Sequence, residues 1–261
     1  MLSHWFTQLS DRNPQLLREV KGRVTRRNVL VTLALSLVTQ LLIVGYYGLP
    51  SDSAYAETSA RQIMMWRSWW FDIFNTTTWI ALLLLLFLGS YLLVEDIAKE
   101  ERRGTLDFVR LSPESAQSVL LGKLLGVPIL LYGAIALAVP LHFWAAINAG
   151  LSLLTIANVY ALAATSCSFV YTFAMFYALG WGAKAQFWYV LPLPCIIYFL
   201  FWLFTFYGRD LGLHANVHDE ILSASFKPSS FFSFLLVMLA VGSFGWWRDC
   251  IHRFHLPPLR R

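Results

Sequence analysis

The sequence predicts an all-α integral membrane protein with six transmembrane helices. Of its 261 residues, 57% are hydrophobic and only 13% are charged, which lies well outside the composition of a soluble domain. Six apolar runs approach or exceed the roughly 20 residues that a helix needs to cross a hydrocarbon core of about 30 Å. The runs are unbroken, as ALLLLLFLGSYLL at 81–93 illustrates, and lack the period of two that is typical of a membrane β-barrel.

The predicted spans lie at 28–47, 76–93, 119–146, 154–179, 186–207 and 229–247. Pro192 and Pro194 are expected to kink the fifth span. If the N-terminus is cytoplasmic, all but four of the 20 Lys and Arg residues fall on the inner side. The exceptions are Arg61, Arg67, Arg209 and Lys227. This asymmetry predicts that both termini are cytoplasmic.

The N-terminal arm carries the start signals of a helix, with Asn13 as the expected N-cap and Pro14 at the first helical position. Cations alternate with apolar residues at helical spacing, which predicts a basic amphipathic helix at the inner interface with its apolar face toward lipid. The apolar positions are Leu16, Leu17, Val20 and Val24. The chain therefore divides into a cytoplasmic arm at 1–27, a six-span domain at 28–247 and a cytoplasmic tail at 248–261.

A charged stretch, EDIAKEERRGTLDFVRL, separates the second and third spans at 95–111. Pairing of Glu95 with Lys99, and of Glu100 with Arg103, would let the second span continue as a helix into the cytoplasm. Gly104 is the expected stop of that helix. A new helix is expected to start at Ser112, because Pro113 follows it.

The short segment between these two signals places Leu106, Phe108 and Val109 on one side, with charged residues elsewhere. One interpretation is a docking surface for a cytoplasmic partner, in which an aromatic anchor is surrounded by arginines. The alternative is a solvated loop whose apolar residues have no role. The residue pattern alone favours neither.

The run E-E-R-R-G-T-L-D-F-V-R-L-S-P at 100–113, followed by L-G-K-L-L-G at 121–126, resembles the signature of one membrane-protein family. This is the type 2 membrane-domain family, which comprises permease subunits of ATP-binding-cassette exporters. The N-terminal NPQLLREVKGR is similar to the interfacial connecting helix of that family. The specific motif covers about 30 residues, whereas the six-span topology covers the whole chain.

The resemblance implies that residues 104–111 form a coupling helix in a groove of a separate nucleotide-binding subunit. Phe108 would be the anchor, with Leu106 and Val109 beside it, and the arginines would meet acidic groups. The expected partner-binding residues are Arg102, Arg103, Gly104, Thr105, Leu106, Asp107, Phe108, Val109, Arg110 and Leu111. The resemblance also implies a second permease copy, identical or related, and a pathway between the first, second and fifth spans.

The ATP-binding machinery is expected on another chain, because the sequence has no G-x-x-x-x-G-K-[ST] motif. Gly122 and Lys123 form its only Gly-Lys pair, which lacks both the earlier glycine and the following hydroxyl. We therefore expect ATP and Mg on the partner subunit, no cofactor on this chain and no enzymatic activity of its own. The GxxxG spacing of Gly122 and Gly126 instead predicts close helix packing.

Asp, Glu, Lys and Arg are absent from the middle of all six runs, which disfavours ion-coupled transport and fits an apolar or amphipathic cargo. Neutral polar residues such as His142 do occur there, and bonding between helices is favoured over cargo contact for each of them. The candidate pathway residues are Gln40, Thr76, Thr77 and Thr78.

No metal site is expected, because His214 and His218 at i, i+4 lack a clear helix and the three cysteines are scattered. Cys167 and Cys195 fall within apolar runs and, with Cys250, are expected to be small core residues. Two other functions stay open, a membrane scaffold that recruits a cytoplasmic protein without transport and a membrane-embedded enzyme. We expect a multi-pass protein of a bacterial-type plasma membrane that contacts the lipid bilayer and no nucleic acid.

Overall fold

The computed structural model describes residues 13–48, 59–106, 111, 114–200, 228–254 and 256. All regular secondary structure within these ranges is helical, which confirms the predicted all-α class. Four helical stretches there are long and apolar enough to cross a membrane, as expected of an integral membrane protein. They are Arg26–Tyr47, Met65–Arg102, Ile129–Asn148 and Leu153–Lys184.

The helices are α1 (Pro14–Arg23), α2 (Arg26–Tyr47), α3 (Ser59–Leu83), a π-helical segment (Leu84–Gly89), α4 (Ser90–Arg102), α5 (Ala116–Gly126), α6 (Ile129–Asn148), α7 (Leu153–Trp181) and α8 (Pro228–Phe254). Two 3₁₀ turns follow α7, at Gly182–Lys184 and Phe187–Tyr189. The first and fourth predicted spans correspond closely to α2 and α7.

The predicted start of α1 is confirmed. The Asn13 side chain accepts a hydrogen bond of 2.8 Å from the Leu16 backbone N–H, and Pro14 is the first helical residue. Thr25 caps α2 in the same way, since its hydroxyl oxygen accepts from the Asn28 N–H at 3.3 Å. Both helices therefore begin where a side chain satisfies a backbone donor that has no partner within the helix.

The second span continues beyond its apolar run, as predicted, and α4 ends at Arg102. Gly104 follows with φ of +69°, in the left-handed region that glycine adopts without strain, so the predicted helix stop is also confirmed. The helical stretch from Met65 to Arg102 holds 38 residues. At 1.5 Å per residue it is about 57 Å long, far more than a hydrocarbon core requires.

A π-helical segment, Leu84–Gly89, interrupts this stretch. The sequence pattern did not predict this irregularity. The Ser90 hydroxyl donates to the carbonyls of Leu86 and Phe87, which occupies acceptors near the irregular turn. A Cβ atom at Gly89 would overlap the Tyr171 hydroxyl, so the absence of a side chain lets the fully buried Tyr171 ring approach the backbone.

The third predicted span, 119–146, is not one helix. It is divided into α5 and α6 at Val127 and Pro128, where Pro128 has no N–H to continue the hydrogen-bond ladder and caps α6 instead. Ser115 caps the start of α5, because its hydroxyl oxygen accepts from the Ser118 N–H at 3.2 Å. The predicted start at Ser112 was therefore three residues too early.

The fifth predicted span also differs from expectation. Residues 192–200 are helical, so Pro192 and Pro194 lie in the first turn of this stretch, where proline is tolerated, rather than at a kink. Residues 201–207 lie outside the described part of the chain. In the sixth span, α8 extends from Pro228 to Phe254, beyond the predicted end at 247.

The cysteine prediction is only partly correct. Cys250 is buried and its thiol contacts the Thr172 carbonyl oxygen at 3.3 Å, as expected of a small core residue. Cys195, by contrast, is exposed, and Cys167 is half-buried. All three are free thiols.

The chain divides into two compact units, one of Met1–Leu85 with Leu125–Val159 and the other of Leu86–Leu124 with Tyr160–Arg261. In the first unit, α1, α2 and α3 all pack against α6, and α2 also packs against α3. In the second, α4 packs against the two 3₁₀ turns, and the Trp246 ring of α8 contacts Phe173 and Phe176 of α7.

Candidate functional site

A buried lysine on α5 contacts two acidic residues on α4, the helix that contains the first part of the charged stretch. The Lys123 side chain is 1% exposed, and its Nζ lies 2.8 Å from Asp96 Oδ2 and 2.7 Å from Glu100 Oε2. Asp96 and Glu100 are one helical turn apart on α4, so they present their carboxylates on the same side of that helix. We call these three residues the ion triad.

Burial makes this contact energetically important. An ammonium group removed from water costs several kcal/mol unless oppositely charged groups compensate it. Two carboxylates compensate Lys123, and their own side chains are only 16% and 15% exposed. Removing the partner of such a buried charge typically costs about 3–5 kcal/mol.

The ion triad was missed by the sequence analysis, and the predicted pairing was wrong. Glu95 pairs with Arg102 at 2.8 Å rather than with Lys99, and Glu100 pairs with Lys123 rather than with Arg103. A usable signal was nonetheless present. Lys123 is a lone cation among the apolar residues of VLLGKLLG, and a lone cation in such a run requires an acidic partner from another segment.

The predicted partner-binding segment is described only in part. Arg102, Arg103, Gly104 and Thr105 are exposed, and Leu111 is 85% exposed, which is unusual for a large apolar side chain. Leu106 differs, because it is 1% exposed and therefore packs inside the chain instead of being accessible to a partner. Asp107, Phe108, Val109 and Arg110 lie outside the described residues.

Two of these exposed residues also make contacts within the chain. Arg102, besides its pair with Glu95, lies near the Ala183 carbonyl oxygen, with its Nη1 at 3.4 Å. The Thr105 hydroxyl donates to the Glu100 carbonyl oxygen at 3.2 Å. The chain thus orients the beginning of the segment while leaving it accessible.

The predicted interfacial helix α1 packs a polar side inside the chain, and contact of its apolar face with lipid stays a prediction. Gln15 and Glu19 are its buried residues, and they hydrogen-bond to each other at 3.1 Å. A Cβ atom at Gly126 would lie 2.5 Å from Glu19 Cβ, so this glycine allows α1 to pack closely. Leu16, Leu17 and Val20 are half-buried, whereas Pro14 and Val24 are exposed.

Two of the four candidate pathway residues bond directly between helices. The Thr76 hydroxyl shares a hydrogen bond of 2.6 Å with the Tyr47 hydroxyl, which links α3 to α2. Thr78 lies 2.7 Å from His142 Nε2, which links α3 to α6, and the Phe74 ring stacks on this imidazole.

The other two residues are bonded more locally. Gln40 donates to the Ser36 hydroxyl at 3.2 Å, and Ser36 in turn donates to the Ala134 carbonyl of α6 at 2.8 Å. Thr77 donates within its own helix, to the Ile73 carbonyl. The predicted preference for helix–helix bonding is confirmed for Thr76, Thr78 and His142, and a contact with cargo stays a prediction.

An open groove of about 610 Å³ lies between α2 and α3, within the first unit. Its walls are almost wholly apolar and include Ile43, Tyr46, Tyr47 and Ile80. Thr76 lines it, whereas Gln40, Thr77 and Thr78 do not. A groove of this composition suits an alkyl or aromatic group and offers nothing to a charged one.

The C-terminal part of the chain carries a cysteine and two histidines close together in sequence, Cys250, His252 and His255. Cys250 is buried, whereas His252, two residues later on α8, is exposed. His214 and His218, as well as His255, lie outside the described residues.

Comparisons with known protein families, with curated proteins and with solved structures find no match. The class of protein therefore follows from the chain itself: an all-helical chain with four helices of membrane-crossing length in its described part. Beyond the apolar run of the second span it carries an exposed charged segment, whose flanking helices are joined by a buried ion triad.

Proposed function

We propose that this chain is the permease subunit of an ATP-driven exporter of the ATP-binding-cassette class. In this proposal it has six spans, with both termini on the cytoplasmic side of a bacterial-type plasma membrane. It pairs with a second permease copy, and ATP with Mg binds to a separate cytoplasmic subunit. The sequence resemblance at 100–113 and 121–126 is the starting point for the proposal.

The observation that carries it is the helical extension of the second span. Residues 94–102 continue α4 beyond the apolar run by about 13 Å at 1.5 Å per residue. Gly104 then turns the chain, and two arginines beside this turn, Arg102 and Arg103, are exposed. Leu111, farther along the same connection, is also exposed. Exposed cations and an accessible apolar residue in one connection suit a groove with an acidic rim.

The groove between α2 and α3 supports a hydrophobic or amphipathic cargo. It lies beside Thr76, a residue of the candidate pathway, and its lining contains no charged residue. An apolar surface of this kind offers van der Waals contacts to an apolar cargo and contains no ionisable group for ion coupling. Energy for directional movement would then come from the partner that docks at 104–111.

The test is a pull-down of the tagged chain from detergent-solubilised native membranes, with co-purified proteins identified by mass spectrometry. Wild-type chain is expected to recover a soluble ATPase, and Phe108→Ala is expected to lose it while still inserting. Phe143→Ala is the matched control, because Phe143 is an exposed aromatic residue on α6. It should recover as much ATPase as wild type.

Other outcomes would change the proposal. Recovery of a cytoplasmic protein that binds no ATP would favour the membrane scaffold. Failure of the wild-type chain to recover any ATPase would refute the exporter function. Equal recovery by Phe108→Ala and wild type would refute the docking role of residues 104–111.

A further inference from the structure

We propose that Lys123 is the positioning residue of the docking segment, because it fixes the two helix ends between which that segment is held. The inference rests on the proposed function only for the identity of the docking partner. The arrangement of Lys123, Asp96 and Glu100 is a property of this chain alone and is tested separately below.

The position of the ion triad along the chain carries the first step. The connection between the helices runs from Arg103 to Ser115, with α4 ending at Arg102 and α5 beginning at Ala116. Asp96 and Glu100 lie in the last two turns of α4, and Lys123 lies two turns into α5. The ion triad therefore joins α4 to α5 close to the points where the connection leaves the two helices. A small displacement there would change the distance between the two ends of the connection.

The chemistry of the ion triad carries the second step. An apolar contact between two helices tolerates sliding and rotation, because hydrophobic attraction has no direction. One ammonium group held by two carboxylates a helical turn apart fixes both the height and the rotation of α4 relative to Lys123. Defining register in this way is the best-attested use of buried charged and polar groups.

Losing the contact of Lys123 with either Asp96 or Glu100 is costly, so we expect the two contacts to form and break together. With Lys123 only 1% exposed, water cannot replace a carboxylate that moves away. Any movement imposed on the segment would therefore reach α4 and α5 together. Lys123 thus acts through the helix ends and need not touch the partner or the cargo.

A neighbouring lysine provides a matched control. Lys99 lies on α4 between Asp96 and Glu100, and its side chain is exposed. Lys99→Met removes a charge of the same sign from the part of α4 that carries Asp96 and Glu100, without removing any member of the buried ion triad.

The first experiment measures the helix ends directly and needs no partner. Spin labels are placed at the exposed positions Arg103 and Gln117 in a cysteine-free background, and the distance distribution is recorded by pulsed electron paramagnetic resonance in lipid nanodiscs. Wild type and Lys99→Met are expected to give one narrow distribution. Lys123→Met should broaden it, and Lys123→Arg should restore it, because the cation is conserved. A narrow distribution for Lys123→Met would overturn the inference.

A second variant separates positioning from folding, since Lys123→Met leaves two carboxylates without their cation. Combining Lys123→Met with Asp96→Asn and Glu100→Gln removes all three charges and keeps the side-chain shapes similar. We expect this variant to regain the yield of wild type but to keep the broad distribution. A narrow distribution would show that packing alone sets the distance and would overturn the inference.

The third experiment connects the ion triad to function. If the pull-down recovers an ATPase, Lys123→Met should still bind it, yet ATP hydrolysis stimulated by the permease should fall by roughly tenfold, since misplacement by about 1 Å is sufficient for losses of that order. Unchanged stimulation would overturn the positioning role. Absence of an ATPase from wild type would instead refute the proposed function, with the distance measurements unaffected.

Discussion

Polar groups join helices in both compact units, but by different chemistry. In the first unit, α2, α3 and α6 are linked pairwise by uncharged contacts: Ser36 with the Ala134 carbonyl, Tyr47 with Thr76, and Thr78 with His142. In the second, α4 and α5 are linked by full charges, Lys123 with Asp96 and Glu100. The difference shows where the chain can accommodate a misplaced helix and where it cannot.

Uncharged bonds between membrane helices are individually weak, averaging about 0.6 kcal/mol, because an alternative partner is often within reach. The Lys123 ammonium group carries a full charge at 1% exposure, so removing it is several times more costly. The first unit is therefore held by several uncharged contacts, whereas the link between α4 and α5 includes a buried full charge. Three stability measurements would test this contrast.

The largest effect is expected for Lys123→Met, which leaves two carboxylates buried without their cation. We predict a loss of about 3–5 kcal/mol in the free energy of unfolding, measured by titration with sodium dodecyl sulfate in mixed micelles. Lys99→Met should stay within about 0.5 kcal/mol of wild type, because Lys99 is exposed. If Lys123→Met and Lys99→Met lowered the free energy of unfolding equally, the buried charge would have no special effect. The distinction drawn between the two units would then be removed.

An intermediate effect is expected for Gly89→Ala at the end of the π-helical segment. Its methyl group would overlap the Tyr171 hydroxyl, and the displacement of a fully buried ring should cost about 1–3 kcal/mol in the same titration. Gly133→Ala on α6 is the control, since no heavy atom lies within 4 Å of its Cβ position. The control should be neutral or slightly stabilising, because alanine favours a helix.

The smallest effect is expected for Thr78→Val, which removes the hydroxyl bonded to His142 and preserves the shape of the side chain. The predicted loss is about 0.6–1.7 kcal/mol, the range measured for bonds between membrane helices. Thr39→Val is the control, because the Thr39 hydroxyl donates to the Leu35 carbonyl of its own helix. If Thr78→Val lowered the free energy of unfolding more than Lys123→Met does, the contrast between uncharged and charged contacts would be contradicted.

Features that depend on neighbouring residues were predictable from the sequence. Asn13 with Pro14 started α1 as expected, and Gly104 ended the helical extension. These signals succeed because a cap or a left-handed glycine satisfies backbone groups within a few residues of itself. The all-α class followed from composition. The second span continues as predicted, although the charge pairs from which that was predicted do not form, since Glu95 pairs with Arg102 and Glu100 with Lys123.

Features that depend on distant residues were not predictable. Lys123 bonds to Asp96 across 27 positions. Nothing in the spacing of 95–103 shows that Glu100 pairs with Lys123 rather than with Arg103. The packing of Glu19 inside the chain was not predicted, because it depends on Gly126, which is more than a hundred residues away. Ser112 and Ser115 are both plausible caps locally, and the choice between them depends on where α5 is held.

The exposure of α2 bears on how the protein is made. Ile43 is its only buried residue, and Leu41, Leu42 and Tyr46 are each more than 65% exposed. The Ser36 bond to Ala134 spans 98 residues, which a ribosome adds in roughly 5–20 s at about 5–20 residues per second. During that interval α2 must reside in the bilayer without its later neighbours. A helix whose surface is almost entirely suited to lipid is stable in the bilayer on its own. It can therefore be in place before α6 is synthesised and packs against it.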